Sequence, residues 1–235
     1  MPILNNSLKR RIIELSKKYS LSHIGSCLTA VDLINAVFKL KRKHEPVILS
    51  CGHAGLALYC VLEKYYGKNA EEIFLHHGVH PDRCNRCGID VSTGSLGQGL
   101  PIAVGMAYAN RGQRVFCLVS DGEMMEGSIW EALRIIDELK LTNLKLLINA
   151  NGWGAYREID CEPLIIKLRA FGWGVIKNED KDLLIQDIKT EIPNTPIAVV
   201  CITNPQFVEL LGQVGHYLVL NSELYNQYIN ILNEV

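Results

Sequence analysis

Two stretches decide the fold: Arg114-Val-Phe-Cys-Leu-Val-Ser-Asp-Gly122 and Asn143-Leu-Lys-Leu-Leu-Ile-Asn-Ala-Asn151. Each opens with a run that is apolar on both faces, as expected of strands in a parallel sheet covered by helices on each side. Between them, 126–139 carries apolar residues at helical spacing, which gives a strand, helix, strand unit. The pattern repeats outward. Helices are predicted over 6–19, 29–42, 53–66, 97–110 and 222–234, and strands over 46–50, 173–177 and 196–202. The fold class is therefore doubly wound α/β, a mostly parallel sheet with helices on both faces. With no repeat, low-complexity tract or Gly/Pro/Ser-rich linker, residues 1–235 are expected to form a single domain.

Composition narrows the function classes. Of 235 residues, 48% are hydrophobic and 21% charged, with a formal charge of -1, so no general basic field exists for nucleic acid or anionic lipid. The densest basic run, Lys41-Arg42-Lys43, reads as a solvated helix end. No apolar run is long enough to span a membrane, and the opening Met1-Pro-Ile-Leu-Asn-Asn6 lacks a signal-peptide pattern, so a cytoplasmic location is expected. The eight cysteines read as reduced thiols, several of them inside apolar runs. Cys84 and Cys87 form a Cys-x-x-Cys pair without a second at zinc-finger spacing, and so read as two thiols in a polar loop.

In doubly wound sheets ligands bind beyond the carboxyl ends of the strands. There lie Asp121 and Asn151, thirty residues apart. If their strands are neighbours, a carboxylate oxygen and an amide oxygen meet at one edge and suit a hard cation, magnesium foremost, with phosphate oxygens completing its shell. Gly122 would let a backbone amide approach that phosphate, and the helix that follows would offer its positive end. Each residue alone would mark only a turn or a cap. Their joint placement around a helix of the right length is what points to a metal-bridged diphosphate.

Taken together, these residues resemble the thiamine diphosphate enzymes, whose signature is Gly-Asp-Gly followed about thirty residues later by Asn. The transketolase branch is the best match: Glu126-Gly127 stands where that branch has its marker glutamate, and Trp130-Glu131-Ala132 follows. Ser22-His23-Ile24-Gly25-Ser26 is similar to the branch's Gly-His-Pro-Gly turn, Leu49-Ser50-Cys51-Gly52-His53-Ala54 to its Leu-Ser-x-Gly-His-Ala, and Thr93-Gly94-Ser95-Leu96-Gly97-Gln98-Gly99 to its Thr-Gly-x-Leu-Gly-Gln-Gly. The likeness spans roughly 8–177. Ser120 in place of the signature Gly and Asn149 in place of a frequent Asp are departures that leave the ligands intact.

The resemblance implies that thiamine diphosphate is held through Mg2+, with Ca2+ or Mn2+ as substitutes. The metal ligands would be Asp121, Asn151 and the main-chain carbonyl of Trp153. Gly122 and Glu123 would lie at the diphosphate, and Gly94, Ser95 and Leu96 would pack against the cofactor. His23, His53 and His80 match histidines that line the substrate funnel and assist proton transfer, a task suited to imidazole. His53 would also contact the cofactor. Glu126 would join a carboxylate network at a subunit interface. His216 matches a late family histidine, in a segment where Thr203-Asn204-Pro205-Gln206 replaces a basic, Gly-rich run. His44, His76 and His77 read as structural or surface residues.

The family's pyrimidine-binding half, with its activating glutamate, has no counterpart here. The resemblance therefore implies a separate pyrimidine-binding partner chain, a heterotetramer of two of each, and transfer of a two-carbon ketol unit between sugar-like substrates. Two alternatives are a subunit of a 2-oxoacid decarboxylase or dehydrogenase, which Glu126-Gly127 argues against, and a non-catalytic cofactor-binding or regulatory subunit.

Overall fold

The computed structural model describes residues 6–154, 156–204, 206–210 and 212–234; the expectations for residues 1–5 and for Pro205 lie outside the described residues. Its centre is a five-stranded sheet in the order β1-β2-β3-β5-β4, from β1 (Val47–Leu49), β2 (Val115–Ser120), β3 (Leu144–Ala150), β4 (Gly174–Asn178) and β5 (Ile197–Ile202). Every pairing is parallel.

The apolar residues of the strands alternate between two separate cores. From β2, Phe116 and Leu118 join one core, while Val115, Cys117 and Val119 join the other. The first core is completed by α1 (Asn6–Lys18), α2 (Ile24–Leu40), α3 (Gly55–Tyr66), α4 (Ala70–His77), α8 (Leu184–Lys189) and α10 (Ser222–Glu234). The second is completed by α5 (Gly99–Ala109), α6 (Gly127–Glu138) and α7 (Cys161–Ala170). Two faces buried by two helical layers explain why these strands read as continuous apolar runs. The remaining short helix, α9 (Gly212–His216), follows a 3-10 turn at Val208–Leu210.

Among the described residues, helices α4, α7, α8 and α9 lie outside the predicted set. The first two are short and owe their start to a cap: Asn69 accepts from the amides of Glu71 and Glu72, and Asp160 from that of Glu162. Pro163 sits in the first turn of α7, where the missing N–H costs nothing. Helix α2 begins five residues earlier than the predicted 29. The expected turn at 22–26 is compressed into His23, which takes a left-handed conformation at φ 60° and caps the helix. The predicted 53–66 helix begins at Gly55, with His53 in a preceding 3-10 turn at Gly52–Ala54.

Candidate cofactor and active site

At the carboxyl end of the sheet, Ser120 pairs with Asn149, so β2 and β3 end within one residue of each other. Asp121 and Asn151 leave this common edge, and the Asp121 amide donates to the Asn149 carbonyl at 3.1 Å. Asp121 is buried; its Oδ1 accepts from the Gly122 amide at 2.8 Å and its Oδ2 from the Gly152 amide at 2.7 Å. Burial pushes its carboxyl up to about 6, against the lowering effect of those amides. The second bond ties the carboxylate to the residue between Asn151 and Trp153. Asn151 Oδ1 accepts from the Trp153 amide at 3.0 Å, which folds this segment into a turn and leaves a second lone pair on the oxygen. A β-carbon added to Gly122 would lie 3.4 Å from Gly154 Cα and 4.0 Å from the Trp153 carbonyl oxygen, which places the two turns face to face. The donor set at this rim is a carboxylate, an amide oxygen and a main-chain carbonyl. Three hard oxygens fit a magnesium-class cation, so the residues present suit the implied group.

Around Gly122 and Glu123 the local structure differs from the expectation. The Gly122 amide is already engaged by Asp121, and the Glu123 amide by Ser120 Oγ at 3.1 Å. A 3-10 turn at Glu123–Met125 follows, so α6 presents its amino end only from Gly127. Glu123 is fully buried and braces the wall. Its Oε1 accepts from Ser50 Oγ at 2.6 Å and from the Gly97 amide at 2.8 Å, joining the ends of β1 and β2 to the 94–97 loop. Burial raises its carboxyl above the usual range, against those hydrogen bonds.

The 94–97 loop is held close to the His53 turn. Thr93 Oγ1 donates to the Leu49 carbonyl at 2.7 Å, and a β-carbon on Gly52 would meet the Gly94 amide nitrogen at 2.7 Å. Gly94, at φ 152°, also lies against the His80 ring, 3.0 Å from where its β-carbon would stand. Only glycine permits both approaches.

Three histidines converge over the rim from distant parts of the chain. His23 and His216 rings are 4.4 Å apart, His23 and His53 rings 5.5 Å, and the His23 amide donates to the His216 carbonyl at 3.1 Å. Burial, then the neighbouring histidines, pushes His23 down to about 4 and His53 to about 3, and burial lowers His216. These rings are thus neutral at pH 7, able to accept a proton at one nitrogen and donate at the other.

His23, His53, Gly94, Leu96, Gly122, Glu123, Asn151, Trp153 and His216 line one cavity of about 400 Å3. Among the described residues, four buried side-chain polar atoms have no hydrogen-bond partner, and two of them, His23 Nδ1 and Glu123 Oε2, belong to this wall. His80 is exposed beside Gly94, Ser95 continues the same loop, and Glu126, exposed at the start of α6, also lines the cavity. The sequence reading missed Ser26, Met125, Tyr156 and Arg157, which also line the cavity. Tyr156 and Arg157 follow directly on Asn151-Gly-Trp-Gly154, and extending that motif would have reached them.

Among the described residues, no helix is long and apolar enough to cross a membrane. Residues 6–215 match the family model described as transketolase, thiamine diphosphate binding domain. Sequence relatives include a 6-deoxy-6-sulfo-D-fructose transketolase subunit from Clostridium sp. (strain MSTE9), 32% identical over 72% of this chain and 70% of that one. Another is an apulose-4-phosphate transketolase subunit from Phocaeicola vulgatus, 31% identical over 72% of this chain and 68% of that one. Mouse transketolase-like protein 2 is 30% identical over 84% of this chain, which spans only 36% of that protein. The transketolase structure from Campylobacter jejuni superposes with a TM-score of 0.80 over 97% of this chain and 42% of that one, at 20% identity, which is a likeness of fold. Sequence match and parallel fold agree, and the chain belongs to the transketolase thiamine diphosphate-binding domain family.

Proposed function

We propose that this chain, as a single domain over 1–235, is the diphosphate- and metal-binding subunit of a thiamine-diphosphate-dependent transketolase completed by a separate pyrimidine-binding subunit, two of each forming a heterotetramer. The observation that carries this reading is that Asn151 and Trp153 share one cavity wall with His23, His53 and His216, while buried Asp121, just behind that wall, is tied to the same turn through the Gly152 amide. The two relatives described as transketolase subunits, each about seven-tenths covered by this chain, support a divided enzyme.

Bound thiamine diphosphate supplies the electron-accepting ring that permits cleavage of the carbon bond beside a ketose carbonyl. The chain's own residues do the rest. Asp121, Asn151 and the Trp153 carbonyl would hold Mg2+, whose positive charge would supply the anchor for a diphosphate. Gly94, Ser95 and Leu96 present a close-packed surface to the cofactor, and Glu123 fixes that surface through the Gly97 amide. His23, His53, His80 and His216 hold substrate hydroxyls and move protons. His23 Nδ1, buried and unpartnered, is placed for one such hydroxyl. Exposed Glu126, beside Gly97, faces the partner.

The test is turnover by the chain co-purified with a pyrimidine-binding subunit, Mg2+ and thiamine diphosphate, offered ketose donors and aldose acceptors. The donor should lose two carbons and the acceptor gain two, by mass spectrometry, only with both chains present. Carbon dioxide release from 2-oxoacids without ketol transfer would overturn the reading.

A further inference from the structure

The loop that carries His80 against Gly94, a residue of the cavity wall, also holds a cluster unrelated to the cofactor. Helix α4 ends at His77, and its Nε2 lies 3.5 Å from Cys87 Sγ. Cys84 and Cys87 are joined as a disulfide in this structure, not the two free thiols expected, because the turn between them brings their sulfurs together. The ligand atoms of His77, Cys84 and Cys87 all lie within 4.8 Å of one another. The sequence shows only the Cys-x-x-Cys; the third group arrives from seven residues upstream, at a spacing no zinc-finger pattern describes.

The backbone around the pair has the form of a metal-binding knuckle. The Cys84 carbonyl accepts from the amides of Cys87, Gly88 and Ile89 at 3.1, 2.9 and 3.0 Å, and the Cys84 amide donates back to the Ile89 carbonyl at 2.9 Å. The Cys87 amide also lies 3.1 Å from Cys84 Sγ, an N–H directed at sulfur that stabilises a thiolate. Gly88, at φ 86°, closes the turn against Leu62 and Tyr66. A disulfide has no need of His77, yet the imidazole is brought to the sulfurs by the end of a packed helix.

We propose that, with its thiols reduced, this knuckle binds a zinc-class divalent cation through Cys84 Sγ, Cys87 Sγ and His77 Nε2, with water in the fourth position. Thiolate and imidazole ligands around a tetrahedral ion sit at about 2.3 and 2.0 Å from the metal, a separation the clustered atoms reach by side-chain rotation. Binding displaces one proton from each thiol and leaves the imidazole neutral. The ion clips together α4 and the loop whose ends are joined by the Thr93 amide on the Pro81 carbonyl at 3.0 Å. That loop positions His80 against Gly94, so the clip fixes one wall of the cavity.

The full chain, reduced with a phosphine that takes oxygen from water as the S–S bond gains two electrons and two protons, is titrated with Co2+ and then Zn2+. The expected result is a thiolate-to-cobalt charge-transfer band that saturates at one ion per chain and is displaced by Zn2+. The band is lost in Cys84→Ser and Cys87→Ser, weakened in His77→Ala, and retained in Cys161→Ser and Asp121→Ala, which separates this ion from the cofactor's metal. No band in the reduced chain, or a band that survives Cys84→Ser, overturns the proposal. Wild-type alkylation read by peptide mass gives the answer without a variant: Zn2+ should shield Cys84 and Cys87, and equal labelling with and without Zn2+ contradicts it.

Discussion

The two ends of the sheet carry cavities of nearly equal size, about 400 Å3 at the carboxyl ends of the strands and about 390 Å3 at the amino ends, yet they differ in how their polar groups are spent. At the amino end the groups satisfy one another. Arg114 grips Glu45 through two nitrogens at 2.8 and 3.0 Å, Lys145 donates to the Thr190 carbonyl at 3.1 Å, and the Asn143 amide reaches the carbonyls of Ala107, Asn110 and Gln113. At the carboxyl end three histidines are held neutral side by side, and His23 Nδ1 and Glu123 Oε2 remain without a partner among the described residues. Burying polar groups without partners is costly, and of the two cavities only the carboxyl-end one has such groups in its wall among the described residues, which marks it as the end organised for a ligand. Volume does not distinguish the two cavities; the unfinished hydrogen bonding does.

That contrast can be broken by exchanging like for like. In the chain purified with the proposed partner, Asn151→Leu should weaken thiamine diphosphate binding at least roughly 100-fold, since it removes a proposed metal ligand, while Lys145→Met at the other end should leave affinity unchanged. Calorimetric titration checks both, and equal losses would erase the distinction between the rims.

The next effect is on stability. Glu123→Ala strands the Ser50 hydroxyl and the Gly97 amide in a dry site and should cost about 2 to 3 kcal/mol in chemical denaturation. Arg114→Ala should cost only about 1 kcal/mol, because Glu45 keeps the Arg42 amide as a donor at 2.7 Å. A larger loss for Arg114→Ala would show that the amino-end network, not the cofactor rim, is the more tightly built.

The smallest effect is in pH. His53 titrates far below the usual histidine range, so the unfolded chain binds its proton first, and the wild type should lose stability as pH falls from about 6.5 toward 4. His53→Gln removes His53's share of that dependence and leaves the shares of His23, His216 and Asp121. Wild type and variant should converge by about 1 to 2 kcal/mol between pH 7.5 and pH 5, with Asp121, which titrates in both proteins, cancelling in the difference. A constant gap in thermal melts across that range would show that His53 is not held neutral by its surroundings.

The same contrast bounds what the sequence could disclose. Strands β2 and β3 and the residues that leave them were legible because both faces of the sheet are buried, which writes a continuous apolar run, and because adjacency of the two strands brings Asp121 and Asn151 to one edge. The histidine cluster was legible only as separate motifs, since contact between His23 and His216 depends on how α9 returns across the start of α2. Helices α4, α7 and α8 are too short for periodicity to register, and caps such as Asn69 and Asp160 set their bounds. Glu123 was assigned to the cofactor, but its bracing of Ser50 and Gly97 is a three-dimensional fact with no local signature. His77 read as a surface residue for the same reason: its proximity to Cys87 is created by the loop that returns to α4.

The measurement closest to the central claim is calorimetric titration of thiamine diphosphate into the assembled complex with and without Mg2+, for the wild type and Asp121→Ala. The account predicts metal-dependent binding in the wild type and none detectable in the variant. Affinity in Asp121→Ala equal to that of the wild type in Mg2+ would contradict a cation clamped at this rim.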